Sequence, residues 1–250
     1  LCIFIISISA MNTADWMGIC GLKPNSVKTA TEKVLWEITS LQIREVTTPE
    51  LVAPLDSIVT HVCMSNNIER SSINLHICRT NEVNAFAMGG RHILVNTGLI
   101  NSCRTQHELA GVIAHELAHL ECGHIGQNTQ IQLCMLIVEM LLTSGSNTQK
   151  GEDITSAATQ IARNYFIREN ETEADERAVE YLVKARMNPA ALGDFLERME
   201  SLQHLDFLST HPDSKKRALH IKDLALKHEE IEQSDVLSVD SWFNLKSKVQ

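Results

Sequence analysis

Two histidines and a glutamate in the segment Gly111–Leu120 have the types and spacing of a metal-dependent hydrolase. His115 and His119 are four residues apart, and Glu116 directly follows the first histidine. Residues four apart lie on one face of an α-helix, so both imidazoles can bind one Zn²⁺. A carboxylate at position 116 would lie beside that metal and could take a proton from its bound water. An apolar band and the absence of proline predict a helix here; the band is Leu109, Val112, Ile113, Leu117 and Leu120.

This motif needs a third protein ligand, and one of two layouts is excluded by spacing. The metzincin layout requires glycine at position 122 and histidine at position 125. Those positions hold Cys122 and Ile125. The other layout takes a glutamate from a later helix.

The segment Glu171–Asp175 can supply that glutamate. Glu171 and Asp175 are four residues apart, so Glu171 can bind the metal while Asp175 accepts a hydrogen bond from a ligand imidazole. The alternative interpretation is a solvated acidic helix face, because Glu169, Glu173 and Glu176 lie in the same stretch. An apolar continuation at positions 178, 179 and 182 indicates that one side of this helix packs inward.

The elements that must position these residues form a mostly helical α+β pattern with a small β-sheet. Alternation predicts a strand at Ile73–Ile77, and Ala85–Met88 and His92–Val95 flank a turn at Gly89-Gly90. Helical periodicity is predicted for Ser26–Arg44, Pro49–Asn66, Thr105–Cys122, Ile154–Ala185, Pro189–Gln203 and Asp213–Glu230. Ile131–Leu142 favours a buried core helix over a membrane span, 143–153 indicates a surface loop, and no element is predicted after Ser234.

Composition limits the class of protein. The 250 residues are 44% hydrophobic and carry a net charge of −9, with 22 basic against 31 acidic residues. This balance argues against nucleic-acid binding. Seven scattered cysteines without a C-x-x-C pair favour buried thiols over a disulfide framework. We expect one domain over residues 26–250, preceded at 1–25 by an apolar segment whose first ten residues fit a signal remnant, a membrane anchor or a buried strand.

Four ordered segments resemble one enzyme family. Glu108–His119, paired with Arg168–Asp175, is similar to the HtpX/BepA-like zinc metallopeptidases, which are gluzincins of metallopeptidase family forty-eight. Asn84–Gly90 resembles the edge-strand segment of that family, and Ser209–Pro212 followed by Arg217 resembles its T-H-P-x-x-x-x-R element.

The resemblance implies a zincin-like domain with one Zn²⁺ per chain. It implies His115, His119 and Glu171 as metal ligands and Glu116 as the catalytic base. His211 would stabilise the oxyanion or plug the metal. The remaining implied roles are Asp175 and Arg217 as supports of the ligands, His124 as structural or as a support, and Asn84, Ala85, Phe86 and Ala87 as the substrate-binding strand.

The resemblance also implies a function. We expect a zinc endopeptidase that acts on unfolded or flexible protein segments in envelope protein quality control. The long apolar spans of the membrane-embedded members are not recognisable, which favours a periplasmic or membrane-associated protein, with the N-terminal segment as a route to the membrane. The alternative location is the intermembrane-space side of mitochondria. The alternative function is a chaperone-like or self-inhibited metal-binding relative, of which loss of the glutamate would be the simplest mark; Glu116 is present.

Overall fold

The computed structural model describes residues 24–125, 170–202, 211–228 and 230–249. The predictions for residues 1–10, for Ile131–Leu142 and for 143–153 lie outside these ranges. Among the described helices, none combines the length and the hydropathy that crossing a bilayer requires.

A three-stranded mixed sheet forms where the sequence predicts one. Its strands are β1 (Asn74–Cys78), β2 (Ala85–Met88) and β3 (His92–Asn96). The order is β1-β3-β2, with β3 parallel to β1 and antiparallel to β2. Gly90 takes a φ of +77° in the turn between β2 and β3, a conformation that glycine adopts without steric cost. β2 is therefore an edge strand, and it packs against the helix that carries the H-E-x-x-H motif.

Helices make up most of the remaining described chain, which confirms the predicted α+β class. They are α1 (Pro24–Gln42), α2 (Pro49–Ser65), α3 (Thr97–Ser102), α4 (Gln106–Glu121), α5 (170–184), α6 (Ala191–Leu202), α7 (Ser214–Leu226) and α8 (Val239–Val249), with a short 3₁₀ turn at Arg70–Ser72. The sequence analysis did not predict α3 or α8. In α8, Trp242, Leu245 and Val249 face inward. Phe243 is exposed, so the apolar residues of this segment do not follow a clear helical spacing in the sequence.

The motif helix α4 lies in the core between β2 and α6. Leu109, Val112, Ile113 and Leu117 are fully buried, as their spacing predicts. Gly111 allows α6 to approach closely, because a Cβ at this position would lie only 3.0 Å from the backbone nitrogen of Leu192. A packed interior fixes the side chains that α4 presents.

The first turn of α4 is fixed by a cap and a buried ion pair. The Thr105 hydroxyl accepts a hydrogen bond from the Glu108 N–H at 3.2 Å. The Glu108 carboxylate accepts from the Arg104 N–H at 2.6 Å and pairs with Arg198 of α6. These contacts hold α4 at a defined register against α6.

Helix α1 forms as predicted, but four of its apolar residues are not buried by the part of the chain that the structure describes. Val34, Leu35, Ile38 and Leu41 are 44–88% exposed. The helix contacts the sheet through Trp36, whose ring stacks on His92 at 3.8 Å. Amphipathic spacing therefore predicted the helix correctly without predicting which side packs.

The four described cysteines are free thiols. Cys63, Cys78 and Cys103 are buried, whereas Cys122 at the end of α4 is partly exposed. This agrees with the preference for buried thiols over a disulfide framework at these positions.

Candidate metal centre

Three donor side chains from α4 and α5 converge in the core. His115 and His119 project from one face of α4, and their Nε2 atoms lie 3.0 Å apart. Glu171 of α5 places Oε1 3.2 Å from His119 Nε2 and Oε2 3.5 Å from His115 Nε2. All three side chains are at least nine-tenths buried. The helical spacing and the fold thus bring the predicted ligands together.

These donors fit a zinc ion in distance and in charge. Tetrahedral ligands 2.0–2.1 Å from zinc lie about 3.3 Å from one another, and the three observed separations are 3.0, 3.2 and 3.5 Å. The buried cluster also contains three carboxylates and one guanidinium, those of Glu116, Glu171, Asp175 and Arg217. With neutral imidazoles this set carries two negative charges, which a divalent cation would balance.

Asp175 and Arg217 hold two of these donors in place. Asp175 Oδ1 lies 3.0 Å from His115 Nδ1, on the side of the ring opposite the cluster. Arg217 of α7 donates from Nε and Nη2 to the two oxygens of Asp175, both at 2.7 Å. Its Nη1 lies 2.5 Å from Glu171 Oε2. One guanidinium therefore ties the two buried carboxylates of α5, Glu171 and Asp175, to α7.

Charge in the site is set by the competition between burial and partners. Burial opposes the ionisation of Glu171, but the nearby His211 and Arg217 outweigh burial and lower the pKa of this carboxyl. At Asp175, Arg217 and His115 outweigh burial in the same way and lower its pKa. Burial alone would lower the pKa of His115, yet its hydrogen bonds with Asp175 and Glu171 raise that pKa to about 9. The pKa of His119 is lowered by burial and by His115. These opposite directions favour protonation of His115 over His119 when no metal is bound, and a bound cation would displace such a proton.

Glu116 connects the donor cluster with the edge strand. Its Oε2 accepts a hydrogen bond from the Ala87 N–H at 2.7 Å. Its Oε1 is buried, accepts no hydrogen bond within the described ranges, and lies 3.4 Å from His211 Nε2. The carboxylate therefore faces the space between β2 and the histidines.

The pairing of β2 with β3 determines which backbone groups of β2 point outward. Asn84 accepts from the Asn96 N–H at 3.1 Å, and hydrogen-bonded pairs alternate along antiparallel strands. The Asn84 carbonyl and the backbone groups of Phe86 thus point to β3, while the Asn84 N–H donates to the Glu82 carbonyl. The backbone groups of Ala85 and Ala87 point to the free edge, where the Ala87 N–H donates to Glu116.

His211 reaches the same cluster from the start of the α7 segment. Its Nδ1 lies 3.1 Å from Glu171 Oε2. One ligand atom from each of His115, His119, Glu171 and His211 lies within 4.8 Å of the others. The residue is thus close enough to be a fourth ligand or to contact a substrate at the metal.

A further contact behind His119 involves residues to which the sequence analysis gave little weight. His124 Nδ1 lies 3.0 Å from His119 Nδ1, and His124 Nε2 lies 3.3 Å from Glu173 Oε2. Cys122 belongs to the same cluster. The sequence signal for this cluster is a cysteine and a histidine just after the motif. Glu173 belongs to the stretch for which an acidic helix face is the alternative interpretation, and only the fold brings it to the other two.

Comparison with known families identifies the class of protein. The model for peptidase family M48 matches residues 50–225, which is most of the chain and contains every predicted site residue. The chain belongs to peptidase family M48. The predicted family is confirmed, and with it the metallopeptidase class.

Several named metalloproteases are similar to this M48 chain. It is 28% identical over 210 residues to metalloprotease LoiP of Escherichia coli, covering 81% of each protein. It is 29% identical over 159 residues to the mitochondrial metalloendopeptidase OMA1 of Schizosaccharomyces pombe, covering 60% of this chain and 45% of OMA1. It is 23% identical over 203 residues to the beta-barrel assembly-enhancing protease of E. coli, covering 73% of this chain and 42% of that protein. The chain thus spans less than half the length of the latter two.

Proposed function

We propose that this M48 metallopeptidase is a zinc-dependent endopeptidase that hydrolyses unfolded or flexible segments of proteins. The observation that carries the proposal is the buried triangle of His115, His119 and Glu171, with donor separations of 3.0–3.5 Å, next to the Glu116 carboxylate. These three side chains would hold one zinc ion and leave a position for substrate or water, as a catalytic site requires.

The residues of the chain would divide the work of hydrolysis. Zinc, when bound, polarises a peptide carbonyl and lowers the pKa of water toward neutrality. Glu116 would take the proton from the attacking water and deliver it to the leaving amine, since its Oε1 is buried and faces the cluster. Asp175 and Arg217 would orient His115 and Glu171 through the contacts described above.

His211 would donate a hydrogen bond to the oxyanion that develops on the attacked carbonyl. Its Nε2 lies 3.4 Å from Glu116 Oε1, so it faces the same space as the base. A donor at this position acts on charge that is present only after the attack has begun.

Substrate would bind as an extended strand along the free edge of β2. The N–H and carbonyl of Ala85 and the carbonyl of Ala87 point outward there, whereas the Ala87 N–H is already donated to Glu116. The Asn84 carbonyl and the backbone of Phe86 anchor the strand through β3. Binding through main-chain hydrogen bonds requires an extended peptide and reads little of its sequence. This mode supports unfolded or flexible segments as substrates.

We further propose a role in protein quality control at the cell envelope. The E. coli relative is named for enhancing beta-barrel assembly, and this name supports a role at the envelope. The protein would be periplasmic or membrane-associated, with residues 26–250 as one peptidase domain and the preceding segment as its attachment to the membrane. The name of the OMA1 relative supports a mitochondrial location as the alternative.

Zinc content and casein cleavage of Glu116→Gln test the mechanism. We expect about one zinc per chain with cleavage reduced about 10²–10⁴-fold, the contribution typical of a general acid–base. Glu176→Gln is the matched control, because Glu176 is an exposed carboxylate on α5 that pairs only with the surface residue His220 among the described contacts. Wild-type cleavage by a zinc-loaded Glu116→Gln protein would refute the assignment of the base.

A self-inhibited resting form is the second candidate, and the position of His211 within the ligand cluster favours it. A fourth ligand would close the position that substrate or water needs. His211→Ala separates the two roles: faster casein cleavage indicates a plug, and slower cleavage indicates an oxyanion donor.

A further inference from the structure

A second group of metal-ligating side chains lies behind the proposed catalytic site. Cys122 follows the end of α4, His124 comes two residues later, and Glu173 lies on α5. One ligand atom from each lies within 4.8 Å of the others. The mechanism proposed above uses none of the three as a ligand or as a catalyst.

We infer that Cys122, His124 and Glu173 form a second binding site for a thiophilic divalent cation such as Zn²⁺ or Cd²⁺. Sulfur, imidazole nitrogen and carboxylate oxygen are the donors that zinc takes in proteins, and softer ions favour the thiolate. His124 Nε2 and Glu173 Oε2 are 3.3 Å apart, close to the separation of about 3.3 Å between two ligands of one tetrahedral zinc ion. Three protein donors would leave one position for water.

The backbone and the burial of the cluster suit a preformed site that is open to solvent. Gly123 takes a φ of +77° and reverses the chain after α4, which places His124 beneath His119. The His124 side chain is only 2% exposed, so its ring is fixed, whereas the Glu173 side chain is 56% exposed and can adjust to an incoming ion. Cys122 is partly exposed, so an ion can reach the thiol.

The charge around the cluster also permits a cation. Burial and Glu173 raise the pKa of the Cys122 thiol, so a bound cation would have to displace its proton. The resulting thiolate and the Glu173 carboxylate would supply two negative charges. Arg177 is the nearby positive group that interacts with Cys122, but its 47% exposed side chain also pairs with Glu180 at 3.0 Å. Once the thiol proton is displaced, the negative charge at the site exceeds the positive charge.

The hydrogen bond between His119 and His124 couples this site to the first one. If His119 binds an ion through Nε2, its hydrogen lies on Nδ1 and is donated to His124 Nδ1, 3.0 Å away. A neutral His124 then carries its own hydrogen on Nε2, facing Glu173. An ion at Nε2 would require that hydrogen to move to Nδ1, where it would oppose the N–H of His119. Binding at the second site therefore breaks the contact that orients His119, and it should lower peptidase activity; this last step rests on the proposed function.

Cadmium titration of the zinc-loaded protein tests the site directly. The ultraviolet absorbance of the cadmium–thiolate bond is the readout. Cadmium at the first site would not contribute to it, because that site has no cysteine. We expect wild type to show one equivalent of this absorbance more than Cys122→Ser does. Subtracting the absorbance of the variant from that of wild type also removes the contribution of the other cysteines. Glu173→Gln should bind cadmium at least ~10-fold more weakly, because even a residue that only hydrogen-bonds a metal ligand contributes about that much to metal affinity. Glu176→Gln, which changes an equally exposed carboxylate on the same helix, should bind as wild type does.

An identical cadmium–thiolate increment in wild type and Cys122→Ser would overturn the site. An unchanged affinity of Glu173→Gln for cadmium would overturn it as well. Because Glu173 is exposed, this substitution should not disturb folding. For the coupling, casein cleavage should fall as the thiolate band saturates in wild type and should not fall in that range in Cys122→Ser. Saturation of the band with unchanged cleavage would refute the coupling, whereas absent cleavage in every variant would refute the proposed function and leave the absorbance test of the site intact.

Discussion

Replacing Arg217 with alanine should destabilise the protein far more than replacing an arginine of a surface ion pair. Arg217 makes two hydrogen bonds of 2.7 Å to Asp175 and a third contact of 2.5 Å to Glu171. None of the three side chains is more than 7% exposed. Without the guanidinium, two ionised carboxylates would remain buried with only histidines to compensate them.

The expected magnitude follows from that burial. Removing one partner of a buried pair costs about 3–5 kcal/mol, because the remaining charge stays desolvated and unpaired. Arg177 provides the matched control, since its pair with Glu180 is 47% and 52% exposed, and an exposed pair contributes only ~0–1 kcal/mol. Arg217→Lys should fall between the two, because lysine keeps the charge and loses the two-pronged geometry.

Urea unfolding of the metal-free protein measures this difference. Wild type, Arg217→Ala, Arg217→Lys and Arg177→Ala should share one dependence on urea and differ in midpoint. Zinc should reduce the deficit of Arg217→Ala, because the ion would become a second partner of Glu171. A free energy of unfolding for Arg217→Ala within about 1 kcal/mol of Arg177→Ala, the scale of an exposed pair, would show that the buried cluster does not depend on the guanidinium.

Three other measurements follow from the same site and core. Because the pKa of His115 is raised from 6.5 to about 9, its contribution to stability is complete below pH 6.5 and is lost as the pH rises through 9. The urea midpoint of the metal-free protein should therefore fall between these pH values, and the midpoint of Asp175→Asn should depend less on pH. Zinc at 100 times its dissociation constant should raise the free energy of unfolding by about 2.7 kcal/mol, and a chelator should reverse the increase; an unchanged midpoint would argue against a site in the folded state. Burial raises the pKa of Cys63 to about 11 and that of fully buried Cys103 further. Burial raises the pKa of Cys122 too, but this thiol is partly exposed, so brief iodoacetamide treatment followed by mass spectrometry should modify Cys122 before either of them.

The motif helix and the sheet could be predicted from the sequence because their signals are local. The period of Leu109, Val112 and Leu117 predicts both the helix and its buried side, and the alternation before the turn at Gly89-Gly90 predicts the strands. The predicted ligand spacing within α4 depends only on helix geometry. These features required no knowledge of what packs against them.

Contacts between distant segments could not be obtained in the same way. Arg217 and Asp175 are 42 residues apart, and only the family resemblance suggested a partnership between Arg217 and a carboxylate. The pair of Glu108 with Arg198 has no sequence signature for the same reason. Helix α1 shows the converse failure, because its apolar spacing is regular while Ile38 and Leu41 remain exposed among the described residues.

The position of Glu171 has a consequence for how the length of the chain can vary. His119 and Glu171 are 52 residues apart in sequence, yet their donor atoms lie 3.2 Å apart. A bound ion would therefore cross-link two residues that are far apart in sequence, and a rigid cross-link of that span would remove about 4 kcal/mol of chain entropy from the unfolded state. Because this term grows only logarithmically, doubling the intervening segment would change it by about 0.6 kcal/mol. Insertions between the two ligand helices should thus be tolerated by the metal site, which leaves that segment as a place where related chains can differ in length.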